Sequence, residues 1–132
     1  MKGVKIWQKR KSVILTKKIG KGTRIHCPVW IGQDVVIGRN VKIQAFVFLP
    51  DGVKIEDNVF IGPGTIMTND KYPPSKHWKK TLVKKGASIG ANCTILPGVV
   101  IGENSIIGAG STITKSIPDG ETWVGEQAHK IK

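Results

Sequence analysis

The sequence contains only two cysteines, Cys27 and Cys93, and they do not form a Cys-x-x-Cys motif. Because a cytoplasmic location is the default expectation and thiols stay reduced there, we expect no structural disulfide. Two thiols alone cannot complete a structural zinc site. The three histidines, His26, His77 and His129, lie far apart in the sequence. Because a catalytic zinc site needs suitably spaced nitrogen or sulfur ligands, we also expect no metal.

Long apolar runs are also missing. None approaches the roughly 20 residues that a membrane-spanning helix needs. The basic N-terminal stretch contains an apolar run of only three residues, Val13-Ile14-Leu15, which is shorter than the roughly 7–15 residues of a signal-peptide core. These absences predict a protein without a membrane span, and a cytoplasmic location is the default expectation.

Acidic residues are scarce. The 132 residues include 9 Asp or Glu against 21 Lys or Arg, which gives a formal net charge of +12. This excess favours anionic partners, such as nucleic acids, anionic membranes or small phosphorylated ligands. Aromatic residues make up only 6% of the chain and are not interleaved with basic ones as in a base-stacking surface. We therefore expect a small anionic ligand and no nucleic-acid partner.

Large aliphatic residues recur at every sixth position over most of the chain. They are Ile19, Ile25, Ile31, Ile37, Ile43, Leu49, Ile55, Ile61 and Met67, and, after a gap, Val83, Ile89, Ile95, Ile101, Ile107 and Ile113. A period of six fits neither an α-helix, whose period is about 3.6, nor a simple alternating strand. The repeat therefore indicates a solenoid.

Two further columns accompany the aliphatic one. The fourth residue after each aliphatic is smaller, for example Val, Thr, Ala, Ser or, at one position, Cys93. The third residue is a turn former at Gly22, Asp34, Asn40, Gly52, Asn58, Gly64, Gly86, Asn92, Gly98, Asn104 and Gly110. Gly, Asn and Asp adopt positive φ at low cost. Each hexad therefore predicts a short extended stretch and a bend, with two side chains pointing inward.

Such units can stack as coils that pair their backbones at about 4.8 Å. We expect one domain over residues 1–132, with repeats at 19–67 and 83–118 and a C-terminal tail at 119–132. The column skips ten extra positions between Met67 and Val83. This predicts a projecting loop at 68–82, and such insertions often carry function.

The repeat resembles that of the hexapeptide-repeat acyltransferases. The resemblance implies an all-β fold, a left-handed parallel β-helix with three hexads per coil, and association of three chains as a homotrimer. The segments "NVFIGPGTIMTNDKYPPS" and "GASIGANCTILPGVVIGENSIIGAGSTITKSIP" are most similar to nucleotide-sugar N-acetyltransferases of this superfamily. Those enzymes use acetyl-CoA to acetylate an amino group of a nucleotide-linked deoxysugar.

The resemblance also implies roles for residues of the loop. The Asn-Asp pair that opens it corresponds to Asn69 and Asp70. Asn69 would hold the sugar near its amine, and Asp70 could accept a proton, position a hydroxyl or simply cap the loop. His77 is the alternative base, because related O-acetyltransferases use a His to activate a hydroxyl group.

The segment "IIGAGSTITKSIP" of this chain resembles the coils that contact the coenzyme in the family. Backbone amides around Ala109 and Gly110 could bond pantetheine carbonyls, and Lys115 and Lys130 could meet the phosphates. Relatives often have Trp-His-Phe where this chain has "HCP" at 26–28, and some have His where Gly64 stands, so the substrate can differ.

Other functions on the same solenoid stay open. A non-catalytic scaffold or polyanion-binding module would explain the charge. Acyl transfer from an acidic carrier protein would also use it, although the packed inward columns favour a short acyl group. A γ-class carbonic anhydrase is excluded because its close His-x4-His pair is absent.

Overall fold

Each hexad forms a strand of two or three residues followed by a bend, as the apolar period predicts. The computed structural model describes residues 2–132. In chain order the strands are β1 (Lys5–Trp7), β2 (Val13–Ile14), β3 (Arg24–His26), β4 (Trp30–Ile31), β5 (Val36–Ile37), β6 (Lys42–Ile43), β7 (Phe48–Leu49), β8 (Val53–Ile55), β9 (Phe60–Ile61), β10 (Ile66–Met67), β11 (Thr81–Val83), β12 (Ser88–Ile89), β13 (Thr94–Ile95), β14 (Val100–Ile101), β15 (Ile106–Ile107), β16 (Thr112–Ile113), β17 (Thr122–Val124) and β18 (His129–Lys130). One 3₁₀ turn, Lys9–Lys11, lies between β1 and β2.

The strands form three sheets, which are the faces of a triangular prism. Face A has the order β1-β3-β6-β9-β12-β15-β17-β18, face B the order β2-β4-β7-β10-β13-β16, and face C the order β5-β8-β11-β14. Neighbours on a face are parallel except β17 and β18. Arg24 lies opposite Lys42, which shows that one coil takes three hexads. The chain is a left-handed parallel β-helix of about seven turns, which confirms the predicted fold.

The core is the stack of the two inward columns. The large aliphatic side chains from Ile25 to Ile113 are at most 2% exposed, and Cys93 is fully buried among them. The buried hydroxyl groups of the small column are all hydrogen-bonded; Thr65, for example, donates to the Gly90 carbonyl at 3.0 Å. Because no buried polar side chain within residues 2–132 lacks a partner, these small residues fill the corners without an unpaired group.

Ten of the eleven expected turn residues adopt positive φ. The exception is Asp34, whose carboxylate instead accepts the Gly52 amide at 2.6 Å. Phe46 was not expected at such a turn, yet it has a φ of 66° and its side chain is 66% exposed. An exposed aromatic in the left-handed region is strained, because its Cβ crowds the following carbonyl.

Strand register locates the insertion. Phe60 lies opposite Ser88, which is ten positions beyond the usual distance of three hexads, so ten residues are additional. They project from the corner between faces B and C of the fourth coil. The predicted loop includes Thr81 and Leu82, but both lie in β11. Thr81 fills the small inward column and is 1% exposed. The inserted loop is therefore 68–80.

The β-helix also extends beyond the expected repeat at both ends. β1 and β2 pair with β3 and β4, so a first coil begins before residue 19. In the predicted tail, β17 continues face A and β18 folds back against it. Trp123 and Ala128 are buried there and cover the C-terminal end of the core.

Candidate functional site

The inserted loop folds back on itself at its base. The Lys79 amide donates to the Asn69 carbonyl at 2.8 Å, and Asp70 and Trp78 form an antiparallel bridge. These contacts close the segment between Asn69 and Lys79 into a short hairpin-like arm. The two residues expected to open the functional loop therefore lie at its attachment to the prism.

Asn69 ties the arm to the neighbouring coil. Its side-chain amide nitrogen donates to the Asp51 carbonyl at 3.0 Å. That bond uses the donor side of the amide and leaves the Oδ1 atom as an acceptor. Because Asn69 is only half-buried, Oδ1 can reach a ligand at the B–C corner and accept a hydrogen bond from an amine.

Asp70 organises the arm through Ser75. Its carboxylate accepts hydrogen bonds from the Ser75 hydroxyl at 2.7 Å, the Ser75 amide at 2.6 Å and the Tyr72 amide at 3.3 Å. These bonds, that from the Ser75 hydroxyl foremost, hold the pKa of Asp70 below its ordinary value of 3.8. A carboxylate with a lowered pKa is a weak base, so this geometry suits a group that positions the arm.

Ser75 is a functional-loop residue that the sequence did not reveal. Besides its contacts with Asp70, its hydroxyl accepts the His77 amide at 3.1 Å and its carbonyl accepts the Trp78 indole N–H at 3.1 Å. The imidazole of His77 lies on the exposed surface of the arm. Tyr72 and Trp78 are 77% and 59% exposed, so the arm carries two uncovered aromatic rings.

Ala109 and Gly110 form the A–B corner of the sixth coil. The Gly110 amide donates to the Ala91 carbonyl at 2.8 Å, so it is used within the stack and is not available to a ligand. Within residues 2–132 the Ala109 amide has no such partner, and it remains the donor at this corner. No atom lies within 4 Å of where a Gly110 side chain would begin, so a ligand can approach this backbone closely.

Lys115 and Lys130 are both neighbours of Trp123. The Lys115 ammonium is 5.8 Å from the Trp123 ring centroid. Lys130 pairs with Glu121 at 3.2 Å, and Glu121 also accepts the Trp123 indole N–H at 3.0 Å. The indole hydrogen bond and, after it, Lys130 hold the pKa of Glu121 below its ordinary 4.5. Lys115 is thus the freer cation, and a phosphate at Lys130 would compete with Glu121.

The expected site residues fall into two clusters. Asn69, Asp70 and His77 lie together in the arm, at the B–C corner of the fourth coil. Lys115 lies at the same corner two coils further along, about 10 Å at the usual strand spacing. The Ala109–Gly110 corner lies on the other side of face B, so one chain does not bring these groups into a single cavity.

Face B also carries an apolar surface that the hexad pattern does not predict. In register, Trp30 lies opposite Phe48, and Phe48 opposite Ile66. Together with Phe46 and Pro28 they form what we call the apolar patch, and a shallow depression of about 240 Å³ lies beside Trp30. Trp30 and Ile66 are 42% and 39% exposed. The signal in the sequence is the spacing of Trp30, Phe48 and Ile66 by three hexads, which is one coil.

Residues 2–132 contain neither a membrane-spanning helix nor a cluster of metal ligands. No helix in this part of the chain is long and apolar enough to cross a bilayer. No group of three or more His, Cys, Asp or Glu side chains within the same residues is arranged to hold a metal ion. Both cysteines are free thiols.

Sequence comparison identifies relatives along most of the chain. The bacterial transferase hexapeptide profile (six repeats) matches residues 34–69 and 80–115. The chain is 38% identical over 117 residues to the bifunctional protein GlmU of Thermosipho africanus, covering 82% of this chain and 24% of GlmU. It is 31% identical over 139 residues to the galactoside O-acetyltransferase of Escherichia coli, covering 95% of this chain and 68% of that protein. The chain thus spans about a quarter of GlmU.

Structure comparison gives a similar result. AntD, an N-acyltransferase from Bacillus cereus solved with dTDP and coenzyme A, superposes with a TM-score of 0.80. The superposition covers 99% of this chain and 77% of AntD, at 30% sequence identity. The relatives therefore include both an N-acyltransferase and an O-acetyltransferase.

Proposed function

Because the chain belongs to the bacterial hexapeptide transferase family, we propose that it transfers an acetyl group from acetyl-CoA to the amino group of a nucleotide-linked amino deoxysugar. The observation that carries the proposal is the single arm at the B–C corner, with Asn69 fixed at its base by the Asp51 carbonyl. The 30% identity to AntD, solved with a nucleoside diphosphate and coenzyme A, supports the same substrate classes.

The chemistry that the chain must support is modest. A neutral amine attacks the thioester carbonyl carbon, a C–N bond forms, the C–S bond breaks, and the coenzyme leaves as a thiol after the amine loses a proton. Such a reaction depends mainly on alignment and on donors near the developing oxyanion. Asn69 Oδ1 accepts a hydrogen bond from the amine and directs its lone pair, which is the role we assign to it.

Asp70 acts by positioning. Its bonds to Ser75 and Tyr72 fix the arm, and its lowered pKa makes the carboxylate a weaker proton acceptor than an ordinary Asp. The amine proton therefore leaves to solvent or to His77, whose amide is held by the same Ser75 hydroxyl. Removing Asp70 would loosen the arm and with it the alignment of Asn69.

The coenzyme would contact the C-terminal coils. The Ala109–Gly110 corner fits the coenzyme, because the space at Gly110 is open and the Ala109 amide is a donor without a partner in residues 2–132. Lys115 offers an exposed ammonium group for a phosphate, and Lys130 offers a second one that Glu121 partly neutralises.

A homotrimer would complete the site. Within one chain the arm and the Ala109–Gly110 corner are separated by face B, and the aromatic rings of Tyr72 and Trp78 are exposed. We propose that the apolar patch packs against a second copy, because it is the exposed apolar surface that continues to the arm. The cytoplasmic location expected from the sequence stays a prediction.

A second candidate function is O-acetylation with His77 as base. The observation that favours it is the 31% identity over 95% of the chain to galactoside O-acetyltransferase. A hydroxyl, unlike an amine, needs a base to become a nucleophile. The two functions therefore differ in how strongly they depend on His77.

The test is a panel of nucleotide-linked sugars offered as matched pairs with an amine or a hydroxyl at one carbon. Acetylated product is measured by mass spectrometry. We expect acetylation of the amine and a loss of kcat/KM of roughly 100-fold in Asn69→Ala, since misalignment is costly. His77→Asn should change it little. Turnover of the hydroxyl sugar alone, abolished in His77→Asn, would overturn the N-acetylation proposal in favour of the second candidate.

Thr68→Ala is the matched control. Thr68 neighbours Asn69 and also makes one side-chain hydrogen bond to the backbone, from its hydroxyl to the Ile95 carbonyl at 3.0 Å. Each variant loses one hydrogen bond, so each should lose about 1 kcal/mol of stability. An equal loss of activity in both variants would mean that Asn69 acts only through the fold.

A further inference from the structure

The first coil of the β-helix carries most of the excess positive charge. Residues 2–21 contain eight Lys or Arg and no Asp or Glu, whereas the rest of the chain contains 13 basic and nine acidic residues. The eight are Lys2, Lys5, Lys9, Arg10, Lys11, Lys17, Lys18 and Lys21, and all are exposed. We call them the basic ring. They supply eight of the twelve net charges.

These charges surround the end of the prism. The 3₁₀ turn Lys9–Lys11 lies at the corner between faces A and B, and Lys17 and Lys18 follow β2 at the B–C corner. Lys21 lies at the C–A corner, where the Gly22 amide donates to the Gly3 carbonyl at 2.8 Å. The two ion pairs found within residues 2–132 are both elsewhere, so no carboxylate of this part neutralises the ring.

Apolar side chains lie within the same coil. Trp7 is 43% exposed and stacks on His26 with ring centroids 4.5 Å apart, and Leu15 is 49% exposed. Ile6 and Ile14, which start the inward stack, are only half-buried. The N-terminal end thus combines an apolar centre and three exposed apolar side chains, Trp7, Val13 and Leu15, with a basic rim.

We propose that this end of the β-helix docks on an anionic phospholipid bilayer. Charges at all three corners of one coil point to a partner that meets the prism end-on over a flat area, as a membrane surface does. A nucleic-acid strand would instead follow a basic stripe or groove with stacking rings. Basic side chains attract anionic headgroups, and Trp and Leu insert among them at the interface.

The docking surface is separate from the proposed acyl-transfer site. The arm lies on the fourth coil, three coils away from the basic ring, which is about 14 Å along the axis. The arm and the Ala109–Gly110 corner therefore stay open to solvent when the end of the prism meets a membrane. Membrane docking therefore does not depend on the acetylation chemistry.

Vesicle co-sedimentation of the full chain tests the proposal. Vesicles of pure phosphatidylcholine are compared, at physiological salt, with mixed vesicles of phosphatidylcholine and the anionic lipid phosphatidylglycerol. We expect binding to the anionic vesicles only. The variant Lys9→Gln, Arg10→Gln, Lys11→Gln should lower the partition coefficient on the order of 100-fold, since each basic group near an anionic surface contributes about a factor of five. Leu15→Gln should weaken binding further.

The matched control is Lys76→Gln, Lys79→Gln, Lys80→Gln, which removes the same charge from an exposed cluster on the arm. It should keep nearly full vesicle binding. Circular dichroism melting of both triple variants should match the wild type, because all six side chains are exposed. Three results would each overturn the proposal. They are an equal loss of vesicle binding in the two triple variants, equal binding of the wild type to neutral and anionic vesicles, and tighter binding to a short DNA duplex than to anionic vesicles.

Discussion

Ser75 lowers the pKa of Asp70 in the arm. Because hydrogen bonds from Ser75 lower the folded-state pKa of Asp70 below 3.8, ionised Asp70 stabilises the arm above about that pH. This stabilisation is lost as the pH falls through the folded-state pKa. Ser75→Ala should therefore raise the pKa of Asp70 toward 3.8, as measured by the pH titration of its carboxyl ¹³C shift.

The control for that titration is Ser88→Ala. Ser88 lies on face A, far from the arm, and should leave the Asp70 curve unchanged. If the Asp70 curve is the same in Ser75→Ala and wild type, the hydrogen bond from the Ser75 hydroxyl does not form in solution. Asp70 would then regain its place as a candidate base.

Gly110 allows the coenzyme contact to be tested without damage to the fold. Gly110 and Gly120 have φ of 72° and 73°, and neither has an atom within 4 Å of the position of an added Cβ. Alanine at either position should cost about 1–2 kcal/mol of backbone strain. Only Gly110→Ala should raise the KM for acetyl-CoA, by roughly tenfold, which corresponds to about 1.4 kcal/mol. Equal KM values in the two variants would move the coenzyme away from this corner.

The role of Ser75 shows what the sequence could not reveal at this scale. Asn69 and Asp70 were identified by a motif, but their hydrogen-bond partners depend on how the arm folds back. Nothing in the sequence indicates that the Gly110 amide is used by Ala91 one coil below. Such contacts join residues far apart in the chain, and only the three-dimensional stack brings them together.

At the scale of elements, stability rests on the inward column. Ile101→Asp would place an unpaired carboxylate in a fully buried position of β14 and should cost about 3–5 kcal/mol. We expect a drop in Tm on the order of 10 °C or more, or failure to fold, in thermal unfolding followed by circular dichroism. Ile106→Asp is the control, because Ile106 points outward from β15 and is 52% exposed. A comparable loss in both variants would refute the inward assignment.

The hexads were predictable because each repeats the same two inward residues and one turn former. The first coil was not predictable, because the 3₁₀ turn changes the spacing of its inward residues. Lys5 lies opposite Arg24, one position more than three hexads away, and Val13 lies opposite Trp30, one position fewer, so no six-residue column continues there. At the other end Trp123 replaces an aliphatic, and the partner of Ile106, Thr122, comes two positions short of three hexads.

At the scale of the whole molecule, the strained Phe46 points to association. A φ of 66° suits Asn, and Asn92 occupies the same A–B corner in the fifth coil, whereas an exposed Phe has no role in a single chain. Phe46→Asn should therefore keep or raise the stability of the chain and weaken the trimer. Sedimentation equilibrium should give three times 14.4 kDa for the wild type and a concentration-dependent lower mass for the variant.

Ile106→Asn is the control for association, because it removes an exposed apolar side chain from face A. It should leave the mass unchanged. A wild-type mass of 14.4 kDa at micromolar concentration would remove the homotrimer from the proposal. The sequence could suggest three chains only through resemblance, since an interface is a property of surfaces that side chains from successive coils create together.

The position of the arm has an evolutionary consequence. Phe60 and Ser88 keep the parallel pairing of the neighbouring coils of face A, although ten more residues separate them. Residues 68–80 can therefore be exchanged as one segment while the strand pairing of the neighbouring coils is kept. Lineages that share this prism could diversify their acceptor molecules by recombining one short segment, and laboratory chimaeras could follow the same route.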